Sequence, residues 1–85
     1  MRIMDVHSGL KGIDCDALVG AFKANAEIQD SEGAKFLTAW ADPESGKVFC
    51  VSEAPNKEAI KRIHERTGHP VDEVYELPLE TGSLA

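Results

Sequence analysis

Residues 40–55, WADPESGKVFCVSEAP, decide the fold of this chain. They predict the end of one β-strand, a tight turn, a second β-strand and the start of a helix. Asp42, Pro43 and Gly46 are typical turn residues, since they offer a side-chain acceptor, a fixed φ and access to positive φ. The strand after the turn, 47–52, is almost continuously apolar or β-prone, which indicates a central strand covered on both faces.

Hydrophobic periodicity divides the rest of the chain into two strand-helix units. The predicted elements, with Asp14 and Asn56 as helix N-caps, are a strand at 3–7, a helix to about 30, a strand at 34–41, a strand at 47–52, a helix to about 67 and a strand at 71–77. This β-α-β-β-α-β order predicts a ferredoxin-like α+β sandwich. Its four-stranded antiparallel sheet carries two helices on one face, with the first and third strands in the centre.

The composition indicates one globular domain that is not a nucleic-acid-binding protein. The chain has 85 residues, 42% of them apolar and 28% charged, and we expect residues 1–85 to form a single domain. A net charge of −6 argues against nucleic acid and anionic membranes as partners. No apolar run approaches the roughly 20 residues of a membrane span, so we expect a cytoplasmic protein. Cys15 and Cys50 lack the spacing of a disulfide framework or a structural zinc site.

Helices can cover only one face of the predicted sheet. Pairing across the turn aligns Trp40 with Phe49 and places Phe36 and Val51 on the same face as that pair. An exposed aromatic patch of this size would be unusual on a monomer. We therefore interpret these four residues as a homodimer face; the alternative is that they form the core beneath the helices.

Six side chains are candidates for binding chemistry: Asp5, His7, Cys50, His64, Glu73 and Glu76. Asp5 and His7 share one face of a central strand, about 7 Å apart. Counting the rise per residue from the corner between the third strand and the second helix brings His64 level with Cys50. Carboxylate, imidazole and thiolate are transition-metal ligands. The alternative is an ordinary core histidine beside a small buried thiol.

The last strand and the tail are acidic. Glu73 and Glu76 could hold divalent cations in shallow surface sites, or could simply oppose edge-to-edge aggregation. Cysteine catalysis, with His64 as the base for Cys50, would need a third group that the sequence does not reveal. The sequence also contains no P-loop, nucleotide fingerprint, HExxH or triad signature, so we expect binding and not catalysis.

Four segments resemble a family of small bacterial nickel-binding, nickel-responsive proteins: MDVH at 4–7, AEIQDSEG at 26–33, WADPESGKVFCVSEAP at 40–55 and IHERTGHPVDEVYE at 63–76. The resemblance implies a ferredoxin-like fold, a homodimer and nickel as the metal. The chain departs from the family pattern on its first helix, where Phe22 and Asn25 replace a His and an Asp of many members. Phe22 cannot bind a metal, so a metal site that depends on the first helix is not expected, whereas sites built from the first strand, the second helix or the acidic last strand remain open.

Two hypotheses of function follow. The first is a cytoplasmic homodimer that binds a divalent transition metal, best nickel, for sequestration or response. Its ligands would be Asp5, His7, Cys50 and His64, with Glu73 and Glu76 as outer or surface ligands. The second is a small-molecule-binding or enzymatic dimer whose pocket between helices and sheet is lined by Phe22, Asp5, His7 and His64. A purely structural role would require Asp5 and His7 to be exposed and unpaired.

Overall fold

The computed structural model describes residues 1–82 and has the predicted order of elements. Its strands and helices are β1 (Arg2–His7), α1 (Cys15–Ile28), β2 (Lys35–Asp42), β3 (Lys47–Glu53), α2 (Lys57–Arg66) and β4 (Glu73–Leu77), with a 3₁₀ turn (Gln29–Glu32) after α1. Every predicted boundary lies within two residues of the observed one. Residues 83–85 of the expected single domain lie outside the described residues.

The four strands form one antiparallel sheet in the order β2-β3-β1-β4. The continuous apolar character of β3 is explained by its place between β2 and β1. The element order and the sheet confirm the predicted ferredoxin-like α+β fold. Within the described residues, neither α1 nor α2 has the length and apolar character of a membrane-crossing helix.

Both helices begin at the side-chain caps that the sequence predicts. Asp14 Oδ1 accepts a hydrogen bond from the Ala17 N–H at 2.8 Å, and Asn56 Oδ1 accepts one from the Ala59 N–H at 3.0 Å. Each cap satisfies an amide that has no partner within its helix. The caps therefore fix the residues at which α1 and α2 begin.

The turn between β2 and β3 also holds the loop that leads into α1. The Gly46 N–H donates to the Asp42 carbonyl at 2.8 Å, which closes the turn with Gly46 at φ 77°. The Leu10 N–H then donates to the Gly46 carbonyl at 2.9 Å, and the Gly12 N–H to the Pro43 carbonyl at 3.0 Å. The loop after β1 is thereby anchored to the turn.

The structure corrects the predicted open face of the sheet at Phe36. Trp40 pairs with Phe49, as expected, but a β-bulge between Phe36 and Thr38 interrupts the alternation of β2. Phe36 is 6% exposed and belongs to the core on the helix-covered face, so its assignment to the open face is wrong. Trp40 is 56% exposed, and the pairing keeps Phe49 and Val51 on its face.

The apolar core lies between the helices and the covered face of the sheet. Its buried members are Ile3, Ala34, Phe36, Ala54, Ala59, Ile60 and Ile63. Along β1 this core ends after Ile3, because the next two residues on the same face are Asp5 and His7. The buried side chains that follow Ile3 on this face of β1 are therefore polar.

Candidate metal centre

The two central strands supply three of the predicted ligands. Asp5 on β1 lies directly opposite Cys50 on β3, so the two side chains project from the same face. His7 follows two residues after Asp5 and projects in the same direction. All three are buried. The strand register therefore places Asp5, His7 and Cys50 on one face of the sheet.

The second helix supplies the fourth side chain, His64. It lies on the buried stripe of α2 and is 1% exposed. Its ring meets the ring of His7 edge to face with 4.6 Å between centroids, and that of Phe36 at 5.6 Å. Because Phe36 lies on the helix-covered face, its ring packs against the imidazole of His64.

One potential ligand atom from each of Asp5, His7, Cys50 and His64 lies within 4.8 Å of the others. Within residues 1–82 this is the one group of three or more His, Cys, Asp or Glu side chains with that spacing. Two imidazoles, one thiol and one carboxylate form a mixed ligand set that suits a first-row transition metal. The arrangement could therefore hold a single divalent ion.

Glu73 and Glu76 lie apart from this cluster. They are three residues apart on β4, which places them on opposite faces of the sheet. Glu73 accepts a hydrogen bond from the Tyr75 hydroxyl at 2.7 Å, and Glu76 accepts one from the Lys57 N–H at 3.0 Å. Both are exposed. Their role as outer or surface ligands stays a prediction.

A backbone carbonyl sets the protonation of the His7 ring. His7 Nδ1 lies 3.1 Å from the Pro70 carbonyl oxygen, which can only accept, so Nδ1 carries the proton of that hydrogen bond. In the neutral ring Nε2 then presents a lone pair, and it lies 2.8 Å from Asp5 Oδ1. Two electron-rich atoms at that distance repel each other unless a proton or a metal ion lies beside both.

The side chains of Asp5 and His64 are buried, and their polar atoms find no hydrogen-bond partner among residues 1–82. His64 Nε2 lies 3.2 Å from Asp5 Oδ1. Neither this contact nor the His7 contact has hydrogen-bond geometry, and both Asp5 oxygens and both His64 ring nitrogens lack a partner among the described residues. Buried polar atoms almost always find partners. A bound cation between Asp5 and His64 would give both side chains a partner.

The electrostatics of the cluster favour a negative Asp5 with positive charge beside it. Burial alone raises the pKa of Asp5, but the imidazoles of His64 and His7 outweigh it and hold that pKa below its ordinary value. Burial alone lowers the pKa of His7, but the Asp5 carboxylate outweighs it and raises that pKa. Burial, reinforced by Asp5, raises the pKa of the Cys50 thiol, the opposite of what an activated nucleophile requires.

A cavity of about 420 Å³ adjoins the cluster. The buried residues His7, Cys50 and His64 are among those that line it, and Phe22 forms part of its wall. The predicted pocket between helices and sheet is therefore present. Asp5, which we expected to line the pocket, lies beneath it and is 0% exposed.

Two supporting contacts were not predictable from the sequence. The carbonyl that orients His7 belongs to Pro70, and a backbone carbonyl leaves no signal in residue types. Asn25 is buried on α1, and its Oδ1 accepts a hydrogen bond from the Thr67 hydroxyl at 2.9 Å. That contact joins α1 to the end of α2, beside His64.

Comparison with known proteins finds a family model and a solved structure to which this chain is similar. A family model described as "Nickel responsive protein SCO4226-like" matches residues 4–77. The crystal structure of SCO4226 from Streptomyces coelicolor A3(2) superposes with a TM-score of 0.93 at 46% sequence identity. The match covers 95% of this chain and 100% of that one. No curated protein matches.

Proposed function

Because this chain belongs to the nickel-responsive SCO4226-like family, we propose that it binds nickel for sequestration or response. The proposed ligands are Asp5, His7, Cys50 and His64. One observation carries the proposal. The buried side chains of Asp5 and His64 have polar atoms without hydrogen-bond partners among the described residues, and they lie beside the Cys50 thiol and the His7 ring. The family description supplies the choice of metal, which the ligand types alone leave open among several transition metals.

The charges of the four ligands match a divalent ion. A metal-bound cysteine is a thiolate, so Asp5 and Cys50 together would contribute two negative charges beside two neutral imidazoles. An uncompensated buried carboxylate costs several kcal/mol. A bound dication would cancel both negative charges, and this cancellation favours a metal over an ordinary core pair of His64 and Cys50.

The hydrogen bond from His7 to Pro70 also supports the proposal. Metal-binding histidines commonly donate their second ring N–H to a carbonyl or carboxylate, which fixes the ring and its tautomer. Here Nδ1 faces Pro70, so Nε2 is the nitrogen that faces Asp5 and the cluster. The ring is oriented for binding before any ion arrives.

The free thiol of Cys50 fits a reducing compartment. Neither Cys15 nor Cys50 forms a disulfide, and a thiol that must bind a metal has to stay reduced. We therefore propose a cytoplasmic location.

We propose further that the protein forms a homodimer through the open face of the sheet. Trp40, Phe49 and Val51 lie on that face, and Tyr75 on β4 continues it because Tyr75 pairs with Met4, the β1 neighbour of Val51. Trp40 and Tyr75 are exposed in the single chain. A second copy would remove this apolar surface from water.

The test of nickel binding is a calorimetric titration of the tag-free protein, with and without its cluster histidines. The unmodified chain should bind one nickel ion per chain, and the His7→Ala/His64→Ala variant should lose that binding. Saturation at one hundred times Kd should also add about 2.7 kcal/mol to the free energy of unfolding. In a domain of this size that would raise Tm by roughly 10 °C or more.

His69→Ala is the matched control, because His69 is the third histidine of the chain and lies outside the four-residue cluster. It should retain stoichiometric nickel binding. Unchanged stoichiometry in the double variant, or binding lost in His69→Ala alone, would show that the ligand set is wrong.

A further inference from the structure

We infer that the 420 Å³ cavity beside the cluster binds a small, neutral, aromatic nitrogen donor whose nitrogen reaches the bound nickel. The inference rests on the proposed nickel site and adds a second ligand to it. The ligand class is that of imidazole and benzimidazole, a flat apolar ring with one exposed lone pair.

The position of the cavity gives a ligand access to the metal centre. The buried residues His7, Cys50 and His64 line it, whereas Asp5 is fully buried and does not reach it. An ion held by all four residues would therefore have three of its ligands at the cavity surface. A donor atom inside the cavity could approach the ion between those three side chains.

The cavity is many times larger than a single water molecule. One water molecule occupies roughly 30 Å³ of liquid, and the cavity has about 420 Å³. Sites for small organic molecules begin at roughly 300 Å³. The volume therefore suits a molecule of one or two rings.

The walls of the cavity are mainly apolar. Leu18, Ala21 and Phe22 of α1 face Ala39 and Val48 of the sheet. Of its buried polar side chains outside the cluster, Asn25 already accepts the hydrogen bond from Thr67. The polar lining residues Lys11, Asp14 and His69 are exposed to solvent. The walls would bind a ring by apolar contact, which leaves the metal as its main polar partner.

Charge decides between a neutral and an anionic donor. Asp5 and a Cys50 thiolate already balance a divalent ion, so an anion would leave a net negative charge in a buried site. The chain itself carries a net charge of −6, which further disfavours an incoming anion. A neutral nitrogen lone pair adds a ligand without this cost.

The experiment titrates benzimidazole into the nickel-loaded protein, followed by calorimetry and by the visible absorption of the nickel. We expect saturable binding and a shift of the nickel bands as the nitrogen coordinates. Ala21→Phe should weaken benzimidazole binding roughly tenfold or more by filling the cavity, while its nickel titration stays unchanged. Glu27→Phe places the same ring on an exposed position of α1 outside the cavity and should leave both titrations unchanged.

The possible failures are distinguishable. Nickel binding without benzimidazole binding would overturn this inference alone. Benzimidazole binding that leaves the nickel bands unshifted, or that is insensitive to Ala21→Phe, would also overturn it, because the ligand would then lie elsewhere. Azide that shifts the bands more strongly than benzimidazole would contradict the charge argument. A chain that binds no nickel would overturn the proposed function together with the inference.

Discussion

Asp5 is the residue on which the candidate site depends. Its carboxylate is fully buried. Among the residues that the structure describes, neither oxygen has a hydrogen-bond partner, and the groups within salt-bridge distance are two histidines. A carboxylate in that position contributes little to folding unless positive charge accompanies it. The proposed nickel ion would supply that positive charge beside Asp5 and Cys50.

Cys50 should supply the sulfur of the site. Cys50→Ser is expected to remove the thiolate-to-nickel charge-transfer absorption and to weaken nickel binding by at least about tenfold, since a charged soft ligand is lost. Absorption spectra of nickel titrations measure both effects. The change is small in volume, so the fold should persist.

Cys15→Ser is the control for that prediction, because Cys15 is exposed at the start of α1. It should keep the charge-transfer band. A band that survives Cys50→Ser, or vanishes in Cys15→Ser, would place the sulfur ligand outside the cluster.

The positions of the cluster side chains could be predicted from the sequence because they follow from regular geometry. Strand alternation placed Asp5 and His7 on one face, and the rise per residue of strand and helix brought His64 level with Cys50. The orientation of His7 could not be predicted, since it depends on the Pro70 carbonyl. Residue types do not reveal which carbonyl a distant loop presents.

At the level of elements, β2 shows where pattern-based prediction fails. Its alternation predicted that Phe36 and Trp40 share a face, but the bulge after Phe36 puts an extra residue between them. A one-residue slip moves a side chain to the other face of a sheet. The hairpin register at Trp40 was correct because turn chemistry fixes it locally, whereas the bulge lies at the far end of the strand.

The turn between β2 and β3 should be sensitive to one added methyl group. Gly46→Ala is expected to lower the free energy of unfolding by about 1–2 kcal/mol for its positive φ and by about 1–3 kcal/mol more for overpacking. The second contribution arises because a Cβ would lie 2.6 Å from the Lys11 nitrogen and 2.9 Å from that of Leu10. Urea unfolding of both proteins measures the difference.

Gly68→Ala is the control that separates the conformational contribution from the steric one. Gly68 has a similar φ of 82°, but an added Cβ there would meet nothing within 4 Å among the described residues. Gly68→Ala should therefore lower the free energy of unfolding only by the contribution of the positive φ, about 1–2 kcal/mol. Equal losses in the two variants would contradict the docking of the turn on the loop after β1.

At the scale of the whole molecule, the fold leaves one sheet face without a covering layer. The chain measures 33 × 32 × 20 Å, as expected for one layer of helices on one sheet. The two-layer fold was predictable from element order. The partner of the open face was not, because a sequence does not state what its exposed apolar surface contacts.

Trp40 should be central to the proposed dimer. Trp40→Glu is expected to convert a dimer to a monomer, since it places a charge in an apolar interface. Multi-angle light scattering during gel filtration measures the mass. Val19→Glu is the control, because Val19 is 44% exposed but lies on α1, away from the sheet face. Dimers in both variants, or a monomeric unmodified chain, would contradict this interface.

The most direct test of the account is anomalous diffraction from crystals of the nickel-loaded protein at the nickel absorption edge. A nickel ion in the buried cluster should give one peak per chain within bonding distance of Asp5, His7, Cys50 and His64. A peak found only beside Glu73 or Glu76, or no ordered peak at all, would contradict the central claim that the buried cluster is the nickel site.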